Sequence, residues 1–212
     1  MTKDWVQLLP LMIPAVVLPL AFWRSRVTRK RTAENLREIG QRLGLGFQPA
    51  TDWTKSPCLT GKLRGRPADV FTCSTGSGKS RRNWAVISVQ AEGAETLTFT
   101  LQKQGLGTRL SEFMGVKEIT VGDPAFDATW FIQTNWPDAF GTALLPEVRA
   151  KLMAVRLAGA EGKFEFNGRA VKYTERDQLS RSDGIELVVA VAGVVTDLAE
   201  LVEVAESKDG VT

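Results

Sequence analysis

The chain has 212 residues, 43% of them hydrophobic and 24% charged, which suits one modest globular domain with something added and excludes collagenous, low-complexity and fully disordered chains. It has no histidine and two cysteines, Cys58 and Cys73, so composition excludes Ser/His/Asp and Cys/His catalysis, a disulfide framework and a Cys/His zinc site. The net charge of +3 has a local source: with Lys3, Asp4 and the run Arg24, Arg26, Arg29, Lys30 and Arg31 set aside, 21 basic residues face 23 acidic ones, without the basic excess of a nucleic-acid-binding domain.

After a short N-terminus (1–4), Trp5 to Trp23 contains no charge and one strongly polar side chain, Gln7. As a helix it reaches nearly 30 Å, about the thickness of a bilayer core. Trp5 and Trp23 bracket it as an aromatic belt, and a basic juxtamembrane segment (24–31) follows at once. A cleaved signal peptide fits less well, because Lys3 is offset by Asp4 and the segment ends in Ala21-Phe22-Trp23-Arg24 without a small-x-small site. Pro10, Pro14 and Pro19 remove backbone donors and bend the span, either against a packing partner or as kinks of a lone helix. Arg24, Arg26, Arg29, Lys30 and Arg31 follow the span and almost no net charge precedes it, so the positive-inside rule puts the N-terminus outside and the rest of the chain in the cytoplasm of a bacterial inner membrane. The same run suits anionic lipid headgroups.

The remainder, 32–212, reads as an α+β domain. Ala33, Leu36, Ile39, Leu43 and Leu45 recur near helical spacing, with Thr32 as N-cap and Gly44 and Gly46 as stops. Leu59–Leu63, Ala68–Cys73, Trp84–Gln90 and Thr96–Gln102 are β-favouring runs separated by turns, an antiparallel meander. Gly105 to Met114 is ambiguous, with room for one helical turn. Lys117–Val121 and Phe126–Thr134 read as strands around the turn Gly122-Asp123-Pro124. Pro137 and Pro146 each open a helix, Gly162–Thr174 reads as a second hairpin, and the apolar positions from Leu187 to Ala205 fall on one face of a closing helix, with Asp183 and Glu186 as a capping box. Glu186, Asp197, Glu200, Glu203 and Glu206 exclude a second span. Gly61-Lys62-Leu63 before Gly65-Arg66 is echoed by Gly162-Lys163-Phe164 before Gly168-Arg169; this marks either a duplicated α+β unit or the common use of glycine at hairpins.

Ser74 to Ser80 imitates a phosphate loop, but Cys73 takes the first glycine position and the residues that follow Ser80 read as a strand, so a hairpin loop is expected rather than a nucleotide site built on Lys79. Lys62, Arg64, Arg66, Lys79, Arg81 and Arg82 make this hairpin basic; Arg64, Arg66, Lys79, Arg81 and Arg82 are candidate contacts for anionic lipid or an acidic partner, or else solvated charges that guard a sheet edge. Asp123 and Asp127 read as structural, with Asp127 opening a strand. Trp130, Phe131, Trp136 and Phe140 read as core. No catalytic, cofactor-binding or metal-binding residue is predicted.

The stretch Ile119 to Leu152, with Gly122-Asp123-Pro124, Phe126-Asp127, Thr134, Pro137, Leu144-Leu145-Pro146, Arg149 and Leu152, resembles uncharacterised bacterial membrane-anchored proteins with a cytoplasmic domain of unknown function. The resemblance implies an N-terminal anchor and a cytoplasmic α+β domain, and no activity. The expectation is a non-enzymatic single-span membrane protein, an accessory, scaffold or assembly subunit of a larger inner-membrane complex such as a respiratory or photosynthetic one. Its expected partners are integral membrane proteins and anionic headgroups, with no cofactor and no nucleic acid. An anionic-lipid-binding surface module is the alternative, and a nucleotide-dependent enzyme using Lys79 a remote one.

Overall fold

The computed structural model describes residues 26–52, 55–92, 95–105, 117–176, 179, 181 and 184–209. Trp5, Pro10, Pro14, Pro19, Trp23 and Arg24, and so the predicted anchor, lie outside the described residues, as do most of Gly105–Met114 and the capping residue Asp183. No described helix is long and apolar enough to cross a membrane.

Alternating side chains generate the sheet. On Arg82–Gln90 (β4), Ala85, Ile87 and Val89 are buried toward one face, and Trp84, Val86 and Ser88 point to the other. The same period runs through Gly46–Gln48 (β1), Cys58–Leu63 (β2), Arg66–Thr75 (β3), Thr98–Lys103 (β5), Lys117–Ile119 (β6), Trp130–Thr134 (β7), Lys163–Asn167 (β8) and Ala170–Arg176 (β9). These nine strands form one sheet in the order β1-β2-β3-β4-β9-β8-β5-β7-β6, with every pair antiparallel. The register lines up one side chain from each strand in a single row, Phe47, Leu59, Val70, Ile87, Tyr173, Phe164, Leu101, Ile132 and Ile119. The described helices cover this face: 26–43 (α1), Pro124–Asp127 (α2), Pro137–Ala143 (α3), Pro146–Leu157 (α4) and Ile185–Asp209 (α5). Leu36 and Ile39 of α1, Phe126, Phe140, Leu152, Val155 and the inner face of α5 join one continuous core. At its centre the Phe99 ring lies 4.7 Å from Phe140 and 5.9 Å from Phe166, so α3 is seated on the sheet by aromatic contact.

The expected α+β architecture, the second hairpin and the closing helix are present, and all four runs of the expected meander are strands; but β2, β3 and β4 alone pair in sequence, and the fourth run, β5, is separated from β4 by two strands and pairs with β7 and β8, because β9 takes the place beside β4. Two local readings are corrected. The first helix already includes residue 26, and Thr32 is no cap: it lies inside α1, and its hydroxyl donates to the Thr28 carbonyl one turn back at 3.0 Å. Phe126–Asp127 does not open a strand. Pro124 takes the first helical position and the Asp123 carboxylate accepts from the Ala125 and Phe126 amides, which starts α2. Asp127 turns back to accept from the Val121 and Gly122 amides, and the strand begins only at Trp130.

The two hairpins that echo each other in sequence lie in the same sheet with β4 between them. Their Gly-Arg pairs occupy different turn positions. Arg64 and Gly65, with φ of 48° and 86°, form a two-residue turn of the type with both residues left-handed. In the other hairpin only Gly168 has positive φ, at 83°, so the echo does not extend to the turns.

Phe140 is fully buried. Phe140→Ala is expected to lower stability by about 3–5 kcal/mol, read as a lower urea midpoint at unchanged m-value.

Candidate functional site

The ends of the sheet differ in chemistry, and α1 marks one of them. Asn35 Nδ2 donates to the Leu179 carbonyl at 2.8 Å. Leu179 shares a small cavity with Ala85 and Glu175, cross-strand partners one step from the end of the β4–β9 ladder. Further along α1, Gly40 touches Leu59, a member of the mid-sheet row. The helix therefore runs inward from the end that carries the β3–β4 loop. The nine residues of α1 before Asn35 lie on the side of it away from Gly40, toward that end. The β3–β4 hairpin passes Ala85 by three residues, about 10 Å, before its loop. Exposed Arg26, Arg29, Lys30 and Arg31 thus share one end of the molecule with exposed Arg81, Arg82 and Arg176.

The sheet face that the described helices leave uncovered is polar across its middle, where Asp69, Ser88, Lys172, Glu165, Thr100 and Gln133 stand side by side. Toward the α1 end it turns apolar. Phe71 and Cys73 of β3 face Val86 and Trp84 of β4, and Val86 is only 5% exposed. These side chains line a cleft of about 720 Å³, closed on its other side by β9, β8 and the end of β5. Trp84 Nε1 donates to Thr75 Oγ1 at 2.7 Å, which fixes the indole. Around the rim Lys103 pairs with Glu161 at 3.5 Å and Lys163 with Glu165 at 2.5 Å. Lys172 and Arg176 line the same cleft with no carboxylate within 4 Å among the described residues. The wall beside the β8 start is held from behind: the Tyr173 hydroxyl donates to buried Glu175 at 2.5 Å, and Glu175 accepts from the Glu161 amide at 3.0 Å. Burial, and then the Glu175 carboxylate, push the Tyr173 phenol well above its ordinary value. Gly162 belongs to this wall by necessity, since a Cβ there would stand 2.6 Å from the Tyr173 ring.

Of the predicted contact residues, Arg81 and Arg82 lie at the α1 end and Arg64 and Arg66 at the other, a full β3 length away. Arg64 donates to Asp197 at 2.7 Å and to Glu200 at 3.2 Å. Arg66 donates to Glu203 through Nε at 3.0 Å and through its terminal nitrogen, and to Glu200 at 3.2 Å. Lys151 of α4 holds the second Asp197 oxygen at 2.7 Å. This end is a structural clamp of α5 onto the β2–β3 hairpin. The signal for it was the spacing of Asp197, Glu200 and Glu203, three apart on one helix face.

The string Ser74–Ser80 closes a hairpin, as expected. A single helical turn, Gly78–Ser80, links β3 to β4, and the Ser80 and Arg81 amides bond back to Ser77 and Gly78 within the loop. The string is thus followed by a strand and not by the helix whose N-terminus a phosphate loop aims at its ligand. The Lys79 side chain lies outside the described residues. Trp130 and Phe140 fill the core and Trp136 packs against it. Phe131, 2% exposed, points to the opposite face, paired with Gln102. Among the described residues no group of His, Cys, Asp or Glu could hold a metal ion.

No protein-family model matches the chain, and no curated protein matches its sequence. A solved structure shares its fold: the crystal structure of the mycobacterial trehalose monomycolate transport factor A, TtfA, has a TM-score of 0.55 at 11% identity, over 82% of this chain and 95% of that one. At this identity the likeness is one of fold, and it carries no residue roles.

The Arg66 hydrogen bonds hold the Glu203 carboxyl below its ordinary value near 4.5. A carboxyl lowered in the folded state contributes stability above its unfolded pKa and loses it as pH falls through the folded one. Glu203→Gln is expected to cost about 1–2 kcal/mol at neutral pH. Its stability should then fall less steeply than that of the parent chain between about pH 5 and 3, as measured by urea unfolding at each pH.

Proposed function

We propose that the chain is a non-enzymatic, single-span membrane protein that acts as an accessory or assembly subunit of a larger bacterial inner-membrane complex, its domain seated on the cytoplasmic leaflet by the α1 end. The observation that carries this reading is the direction of α1: it leaves the sheet at the end where Arg81, Arg82 and Arg176 stand, and its outer turns carry Arg26, Arg29, Lys30 and Arg31. An uncharged 19-residue stretch, Trp5 to Trp23, precedes it. Each cation close to an anionic leaflet contributes about 1 kcal/mol, so this end favours the headgroup plane. The fold shared with a protein named as a glycolipid transport factor supports a place beside a transport machine over a respiratory or photosynthetic one. The membrane-surface module is the second reading, favoured by the same basic end.

Two measurements separate them. Extraction of the tagged full chain in mild detergent is expected to bring integral membrane proteins at fixed stoichiometry; a clean monomer overturns the subunit reading. In nanodiscs, amide exchange of the loop 76–81 is expected to slow when phosphatidylglycerol replaces phosphatidylcholine, with the effect lost in an R81E/R82E variant and reduced by salt. Equal exchange on both lipids removes the seating on the leaflet.

A further inference from the structure

We propose that the cleft at the α1 end binds an anionic single-chain amphiphile, its chain on Phe71, Cys73, Trp84 and Val86 and its acidic head between Lys172 and Arg176. The proposal rests on the reading that this end faces the bilayer. It deepens that reading by naming what the domain takes from the leaflet.

Three observations converge on it. The cleft, about 720 Å³, has the size of a small-molecule site, about 300–1,000 Å³. Its chemistry is divided along its length. The floor at Phe71 and Val86 is apolar, and Val86 is buried without joining the main core on the other face. The rim cations are not equivalent: Lys103 pairs with Glu161, which it shares with Arg156, and Lys163 pairs with Glu165, whereas Lys172, though cross-strand from Glu165, and Arg176 have no carboxylate within 4 Å among the described residues. An apolar floor beside two cations with no carboxylate within 4 Å among the described residues is complementary to a chain that ends in a carboxylate or phosphate. The third observation is the place of the opening. The strand ends that frame it, Thr75, Trp84 and Arg176, lie at the end from which α1 departs, so a chain leaving the bilayer there enters without crossing the domain. Arg82 stands two residues beyond Trp84 on the same face and extends the cationic path outward.

Cys73 lines the cleft and Cys58 does not, and both are half-buried, so the protein carries its own reporter and reference. The full chain is placed in phosphatidylcholine nanodiscs, and the alkylation rate of each cysteine by a maleimide is followed while palmitate, dodecanol or inorganic phosphate is added. Palmitate is expected to slow Cys73 several-fold and leave Cys58 unchanged, with a K172E/R176E variant needing about tenfold more palmitate. No protection of Cys73 overturns the proposal. Equal protection by dodecanol, indifferent to K172E/R176E, shows an apolar groove only and overturns the anionic head; protection by phosphate alone overturns the chain. Urea unfolding of the variant verifies that it keeps its fold, and Phe71→Ser, which leaves both cations in place, is expected to weaken palmitate and so keeps the test decisive if K172E/R176E unfolds. Failure of this proposal is distinguishable from failure of the leaflet reading, because phosphatidylcholine nanodiscs give Cys73 its readout whatever the loop 76–81 does on phosphatidylglycerol.

Discussion

A single apolar row, one side chain deep and nine strands wide, holds the molecule in register. From Phe47 on β1 to Ile119 on β6, each member is the cross-strand neighbour of the next, and all but the two at the edges are buried. A slip of any strand by one residue would turn its whole apolar set to the other face, so the row fixes all eight pairings together. It also fixes what the opposite face presents. Once Val70, Ile87, Tyr173 and Phe164 point to the helices, Phe71, Val86, Thr174 and Lys163 must point away, and they meet in the next row. The cleft is thus a product of the same register that builds the core.

The helical layer is secured differently at its two ends. Near the β2–β3 turn, Asp197 is 7% exposed and accepts from both Arg64 and Lys151, so one carboxylate joins a hairpin, α4 and α5. A nearly buried carboxylate is stable there because charged donors occupy both its oxygens. Nearer the start of α5, Arg42 bonds to Glu38 and Glu186 at the surface. There the ion pairs are exposed and each carboxylate meets one arginine, whereas at the β2–β3 turn a nearly buried carboxylate is shared by two cations.

Much of this was legible in the sequence, because strands and helices with one buried face announce themselves by period. The β-runs and the α5 stripe were placed from alternation and from three-to-four spacing alone. The failures have local physical causes. At Phe126 the β-favouring run Phe126–Thr134 was outweighed by an Asp-Pro start signal that caps a helix, and Thr32 looked like a cap because the periodic stripe, not the helix, begins there. The basic hairpin could not be resolved without the fold. Arg64, Arg66, Arg81 and Arg82 lie within 19 positions, yet β3 carries the two pairs to opposite ends, and the carboxylates that claim the first pair come from 133 or more positions further along the chain. The cleft was invisible for a related reason: its apolar residues alternate with core residues on the same strands, and nothing local says which rows will be covered.

The place of β9 bears on how the sheet is joined. Among the described strands β9 comes last along the chain, yet it inserts between β4 and β8, and it alone joins two pieces that pair within themselves, β1–β4 and β5–β8. Without it β4, whose nine residues include Ala85, Val86, Ile87 and Val89, would present an open apolar edge, the kind of template that recruits foreign strands. Arg82 at the mouth of β4 places a charge at the start of that edge. Residues 170–176 are thus the seam on which the continuity of the sheet depends, and α5 follows them along the chain as part of the layer that covers it.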